Sequence, residues 1–173
     1  MVPTSSSAPG TGRQMPLDSD LFRSVLGRFA TGVTVITTRD AAGRDVGMTV
    51  SAFSSLSLDP PLVMFCVDRS ASTLGALGES AWIAVNILSA SQEALSRRFS
   101  NLDAESRFDG IGFSRGQSGA PILDEVLAYM ECEVVRRLDG GDHVIFVGKV
   151  HNAEARDERP LLYYRGGYAQ LER

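Results

Sequence analysis

Histidine, cysteine and long apolar runs are scarce in this chain of 173 residues, and each scarcity excludes something. The two histidines are His143 and His151. Eight residues apart on one strand, they would lie roughly 27 Å from each other. They cannot share a metal within one chain, and no metal site is expected. The two cysteines, Cys66 and Cys132, form no CxxC. They read as buried free thiols of a reducing compartment. No run approaches the roughly 18 apolar residues of a membrane span. The N-terminus shows no basic-then-apolar leader pattern. A net charge of -4 gives no pull toward nucleic acid or an anionic membrane. The expectation is a soluble, cytoplasmic protein with neither as a partner.

Familiar catalytic signatures are missing too. There is no GxGxxG, no GxxxxGK[ST] and no GxSxG nucleophile elbow. The nearest glycine cluster, "GIGFSRG", has the wrong spacing and does not open a helix after a strand. No carboxylate–histidine cluster points to hydrolysis. An enzyme built on this chain would rely on a cofactor for its chemistry.

What is present is globular. Hydrophobic content is 43% and charged content 22%, the balance of one ordinary domain. Residues 1–17 are rich in Ser, Gly and Pro and read as a mobile tail, leaving 18–173 as the domain. "SDLFRSVLGRFATG" carries helical spacing, with Ser19 as N-cap and Gly32 as terminator. "VTVITTRD", "VGMTVSAF" and "PPLVMFCVD" read as three strands, with Pro60 and Pro61 confined to the entrance of the last. "SASTLGALGES" reads as a short helix capped by Ser70 or Ser72, and "AWIAVNIL" as a strand. "SASQEALSRRF" is a helix with a Ser89/Gln92 capping box. Residues 100–121 read as irregular. "LAYMECEVVRRL" and "HVIFVGKVHNAEA" flank the turn "DGGD" as an antiparallel hairpin. A last strand lies in "PLLYYRGGYAQLER". Strands dominate, and short links favour antiparallel pairing. The expected fold is mainly β: a six- or seven-stranded barrel with peripheral helices.

Two stretches raise the question of a ligand. "GMTVSAFSSLSLDPP" interleaves hydroxyls with Val50, Phe53 and Leu56. Hydroxyls and backbone N–H groups at a strand end suit a polar, planar, partly anionic ligand; a solvent-facing edge strand would explain Thr49 and Ser51 equally well. "DRSASTL" then places Arg69, Ser70, Ser72 and Thr73 at a helix start, a natural phosphate site. Arg97 and Arg98 read as a solvated helix face, with a phosphate role as the alternative.

"RFATGVTVITT", the hydroxyl stretch with "LVMFCVDRSASTL", "WIAVNIL", "RRF", "DGGDHVIFVGKV" and "PLLYYRGGY" stand in one order. Together they resemble the short-chain flavin reductase family, the reductase components of two-component flavin-dependent monooxygenases. The resemblance runs over roughly residues 18–170. It implies a flavin-binding split β-barrel of Greek-key type, a homodimer with flavin at or near the interface. It implies that Thr49, Val50, Ser51, Ala52, Ser54, Ser55 and Leu56 lie along the isoalloxazine. Ala30, Thr31, Gly32, Val33 and Asn86 would complete that pocket. Arg69, Ser70, Ser72 and Thr73 would sit by the flavin phosphate and Phe99 by the flavin's outer part. His143 would face the nicotinamide, and Tyr163, Arg165 and Tyr168 would lie near the pyridine nucleotide. The implied cofactor is FAD, with FMN as the second candidate, and the implied donor is NADH, with NADPH second. The implied partner is an oxygenase receiving diffusible reduced flavin. Two other readings of such a barrel are a flavin-storage module and an oxidase of pyridoxine-phosphate type.

Overall fold

The computed structural model describes residues 17–100 and 106–171. The expected N-terminal tail therefore lies, apart from Leu17, outside the described residues.

Helix α1 spans Ser19–Leu26. Its N-cap is Asp18 rather than Ser19, because the Asp18 carboxylate accepts the Asp20 N–H at 3.1 Å. The helix ends at Gly27, well before Gly32. Two residues, Thr31–Gly32, then form the short strand β1.

Four strands follow: β2 (Thr34–Arg39), β3 (Asp45–Val50), β4 (Phe53–Leu58) and β5 (Pro61–Asp68). The strand expected over "VGMTVSAF" is thus broken at Ser51–Ala52, and the serine-rich stretch is a strand of its own. Serine has weak β propensity, but pairing with β5 supplies what the sequence does not. The Asp59–Pro60 bond in the turn before β5 is cis. Pro61 opens β5, where its missing N–H is tolerated.

Helix α2 covers only Leu74–Glu79. Neither Ser70 nor Ser72 caps it. Thr73 holds the N-cap position with helical φ/ψ and no capping bond; its hydroxyl turns to the Met48 sulfur at 2.9 Å. Strand β6 is Trp82–Ile87. A 3₁₀ turn over Ala90–Gln92 carries the Ser89/Gln92 capping box, and α3 continues over Glu93–Ser100. The stretch expected to be irregular holds a small hairpin, β7 (Phe113–Arg115) with β8 (Pro121–Leu123). Then come the long partners β9 (Ala128–Gly140) and β10 (His143–Ala155). The chain closes with β11 (Leu162–Tyr164) and β12 (Gly167–Ala169), a hairpin rather than one strand. Its turn places Arg165 and Gly166 at φ of 52° and 81°.

Seven strands form one antiparallel sheet in the order β3-β2-β6-β9-β10-β5-β4. β5 and β6, consecutive in sequence, are separated by β9 and β10, as in a Greek key. The two edges, β3 and β4, are joined by Ser51 and Ala52 alone. Val50 and Phe53 are three residues apart, so the edges meet within roughly 11 Å. The sheet is therefore rolled, a barrel left open along one seam. Ile36, Val50, Phe65, Ile83, Val85, Cys132 and Phe146 fill its interior, with Phe65 and Phe146 stacked at 5.0 Å. A second cluster of Val33, Val35, Leu88, Phe99 and Leu161 seats α3 outside the sheet. A separate sheet, β1-β11-β12, lies beside it. No helix among the described residues is long and apolar enough to cross a membrane.

Candidate active site

The seam fixes the site. β3 and β4 each have one sheet partner, so each leaves a row of backbone N–H and C=O groups unpaired by the sheet. Beside β3, α3 is held in place by two contacts. The Thr49 hydroxyl donates to the Ser96 carbonyl at 2.7 Å. Phe99, fully buried, packs onto Gly47, where a Cβ would come within 2.7 Å of its ring. The β11–β12 hairpin closes the other side. Its register sets Tyr163 opposite both Thr31 and Tyr168. The two tyrosine rings meet edge to face at 5.6 Å. The Tyr168 hydroxyl lies 2.8 Å from the Ser96 hydroxyl, and the Arg97 guanidinium rests 4.8 Å over the Tyr168 ring.

These elements enclose a cleft of about 510 Å³ lined by Val33, Thr49, Ser51, Ser96, Arg97, Ser100, Tyr163, Gly166, Gly167 and Tyr168. That volume suits a small organic ligand. Five of the residues expected from the sequence line it: Val33, Thr49, Ser51, Tyr163 and Tyr168. Thr31 is next to it in register, and its hydroxyl is buried with no hydrogen-bond partner among the described residues. Ala30 and Gly32 flank it in sequence, both exposed. An orphaned hydroxyl nearby, the unpaired β3 edge and an aromatic wall fit a planar ring with a polar rim.

Other expected residues stand elsewhere. Ala52 sits on the seam, its carbonyl accepting the Cys66 N–H at 3.0 Å. Val50 faces the core at 5% exposure. Ser54, Ser55 and Leu56 lie exposed on edge strand β4, where the register slips between Ser55 and Ser57 and leaves Leu56 as a bulge. Asn86 is fully buried and its side chain is spent internally. It donates to the Val35 carbonyl at 3.1 Å and accepts from Leu123 N–H at 2.8 Å. Phe99 supports the cleft from behind.

The "DRSAST" stretch has local partners. Arg69 bonds the Gly141 carbonyl at 2.8 Å and pairs with Asp139. Ser70 donates through both its N–H and its hydroxyl to Asp68 at 2.7 Å. Those bonds, the backbone one foremost, hold the Asp68 carboxyl below its usual range. Ser72 and Thr73 line a second cavity of about 820 Å³ with Asp40, Arg44, Asp45 and Glu79. His143 opens β10 directly opposite Asp68, half-exposed, its Nδ1 2.7 Å from the Asp142 carboxylate. Counting along β5 from Cys66 and across to β10, roughly 12 Å of sheet separates His143 from Ala52.

Sequence reasoning missed Ser96, Ser100, Gly166 and Gly167. The available signal was the i,i+4 spacing of Ser96 and Ser100, which sets them on one face of α3. Neither thiol is poised for chemistry: burial pushes Cys66 up, and Cys132 to about 12. Among the described residues, no three His, Cys, Asp or Glu side chains gather as metal ligands.

A rolled antiparallel sheet with a cleft at its seam defines a class, and the chain belongs to it: the family model "Flavin reductase like domain" matches residues 26–172. The chain is 42% identical over 157 residues to the flavin-dependent monooxygenase reductase subunit HsaB of Rhodococcus jostii, covering 90% of this chain and 80% of that one. It is 40% identical over 156 residues to the FMN reductase (NADH) SmoA of Agrobacterium fabrum, covering 90% and 88%. Among solved structures, the NADH:FAD oxidoreductase SgcE6 of Streptomyces globisporus, in complex with NAD and FAD fragments, matches with a TM-score of 0.84. That pair shares 36% identity and covers 90% of this chain and 93% of the other.

Proposed function

We propose that this chain is an NADH-dependent flavin reductase that passes reduced flavin to a separate monooxygenase. The observation that carries this is the cleft at the seam, where the unpaired β3 edge meets a tyrosine wall, with the orphaned Thr31 hydroxyl beside Tyr163 in register. Its relatives include reductases and reductase subunits of such systems.

Flavin, when bound, would supply the electron acceptor for a hydride from nicotinamide. The residues supply place and orientation. Edge groups near Thr49, Ser51 and Ala52 hold the polar rim of the ring, together with the segment from Ala30 to Val33. Nicotinamide would have to stack on the ring, because hydride transfer needs roughly 3–3.5 Å. His143, with Nδ1 anchored on Asp142, offers Nε2 to the nicotinamide carboxamide. FAD is the favoured flavin and NADH the favoured donor, in keeping with the FAD- and NAD-bound neighbour.

The active form is a homodimer. None of α1's residues is buried, and Leu21, Phe22, Val25 and Leu26 stand about half exposed. A second copy is the natural cover for that face.

The test is oxidation of NADH or NADPH at 340 nm by purified protein with FAD, FMN or no flavin. Flavin-dependent oxidation well above the protein-free rate is expected, fastest with NADH and FAD. No oxidation of either donor by protein that binds flavin would refute the reading.

A further inference from the structure

The two large cavities differ in charge. The seam cleft has one cation, Arg97, and no carboxylate among its lining residues. The second cavity has three carboxylates, Asp40, Asp45 and Glu79, against Arg44, which is itself paired with Asp40 at 2.8 Å. An anionic ligand has reason to enter the first and not the second. Arg69, the cation of the sequence-favoured anion site, lines neither cavity and is paired with Asp139.

The two arginines of "RRF" also divide. Arg98 is consumed in the fold, donating to the carbonyls of Arg107, Ser106 and Asp109. Arg97 is not. Its Nε and Nη2 both donate to one Glu93 oxygen, at 2.8 and 2.7 Å. Its Nη1 has no partner among the described residues. The Tyr168 ring beneath it and the Glu93 carboxylate beside it hold the partly exposed guanidinium toward the cleft. An arginine so held loses little freedom on meeting a phosphate.

We propose that Arg97 is the phosphate anchor of the seam cleft, and that Glu93 both orients it and tempers its charge. This rests on the flavin reductase reading. The phosphate could belong to the flavin or to the pyridine nucleotide, and riboflavin, which has none, separates the two.

The experiment compares wild type with Arg97→Gln, Arg97→Lys and Glu93→Gln. Flavin fluorescence gives Kd for FMN and for riboflavin; the KM for NADH is measured with riboflavin as acceptor. If Arg97 meets the flavin phosphate, Arg97→Gln lowers the preference for FMN over riboflavin roughly tenfold or more, with riboflavin affinity kept. If it meets the nucleotide, that preference stays and the NADH KM rises by a similar factor. Arg97→Lys falls between, and Glu93→Gln shifts the same quantity a few-fold the other way. Arg97→Gln leaving both quantities within twofold overturns the proposal while the reductase stands. Equal weakening of FMN and riboflavin with unchanged KM also overturns it, since Arg97 would then only brace Tyr168. Wild type that binds neither flavin sinks proposal and reading together.

Discussion

Replacing Gly47 with alanine should damage the protein twice, once in stability and once in the cleft. A Cβ on Gly47 would stand 2.7 Å from Cε1 and 3.0 Å from Cδ1 of Phe99, and 3.2 Å from Cζ of Phe108. Carbon atoms prefer roughly 3.5–4.0 Å, so the Phe99 ring must yield by nearly an ångström. It has nowhere to go: Phe99 is 0% exposed and meets Phe108 edge to face at 5.0 Å. Overpacking of this kind costs about 1–3 kcal/mol. Alanine in a strand recovers about 0.5–1 kcal/mol of backbone entropy; with the ring unable to move, the clash falls in the upper part of its range and a net loss of up to about 2.5 kcal/mol is expected. Urea unfolding should show a lower midpoint with an unchanged slope. Phe99→Leu in the same chain should couple favourably with Gly47→Ala, because the smaller side chain removes the overlap. The displaced helix α3 also holds the Thr49–Ser96 bond and the Arg97–Tyr168 contact, so flavin affinity should fall with stability. A Gly47→Ala protein as stable as wild type would refute this account of how α3 is seated.

Three further outcomes are expected. His143→Ala should raise the NADH KM or slow flavin reduction while flavin affinity barely moves; an unchanged KM and rate would remove His143 from the site. Glu131 is 1% exposed; burial pushes its carboxyl up, but bonds from Asn152 and from the Ser118 hydroxyl and N–H outweigh that and leave it below the usual range. Its stabilising effect should therefore be full near neutral pH and fade as pH falls below about 4; Glu131→Gln should cost about 1.5–3 kcal/mol at pH 7, and a gap that does not narrow in acid would refute the assignment. Phe22→Glu should leave the unfolding midpoint of the isolated subunit unchanged but shift sedimentation from dimer to monomer; a dimer that persists would move the interface off α1.

The fold was legible wherever burial and period coincide. β9 and β10 are rich in β-branched and other apolar residues and flank a turn marked by Gly140 and Gly141, so the hairpin follows from composition and turn chemistry. β4 was hidden for the opposite reason. Its serines face out from a sheet edge, and an exposed edge strand has no hydrophobic face to announce it. The capping residues were misread at α1 and α2 because Asp18, Ser19, Ser70, Ser72 and Thr73 all carry suitable oxygens, and which one caps depends on backbone angles the sequence does not write down. The cleft is harder still. Thr49, Ser96 and Tyr168 are separated by 47 and 72 residues, and only the folded chain makes them neighbours. Composition could say that a phosphate would need an arginine; it could not say which arginine lines the cleft. Arg69 and Arg98 stand in motifs as suggestive as that of Arg97, yet the first is paired with Asp139 and the second holds three carbonyls. Identity of residue type narrows the candidates, and place in the fold chooses among them. Of the three, Arg97 alone lines the cleft.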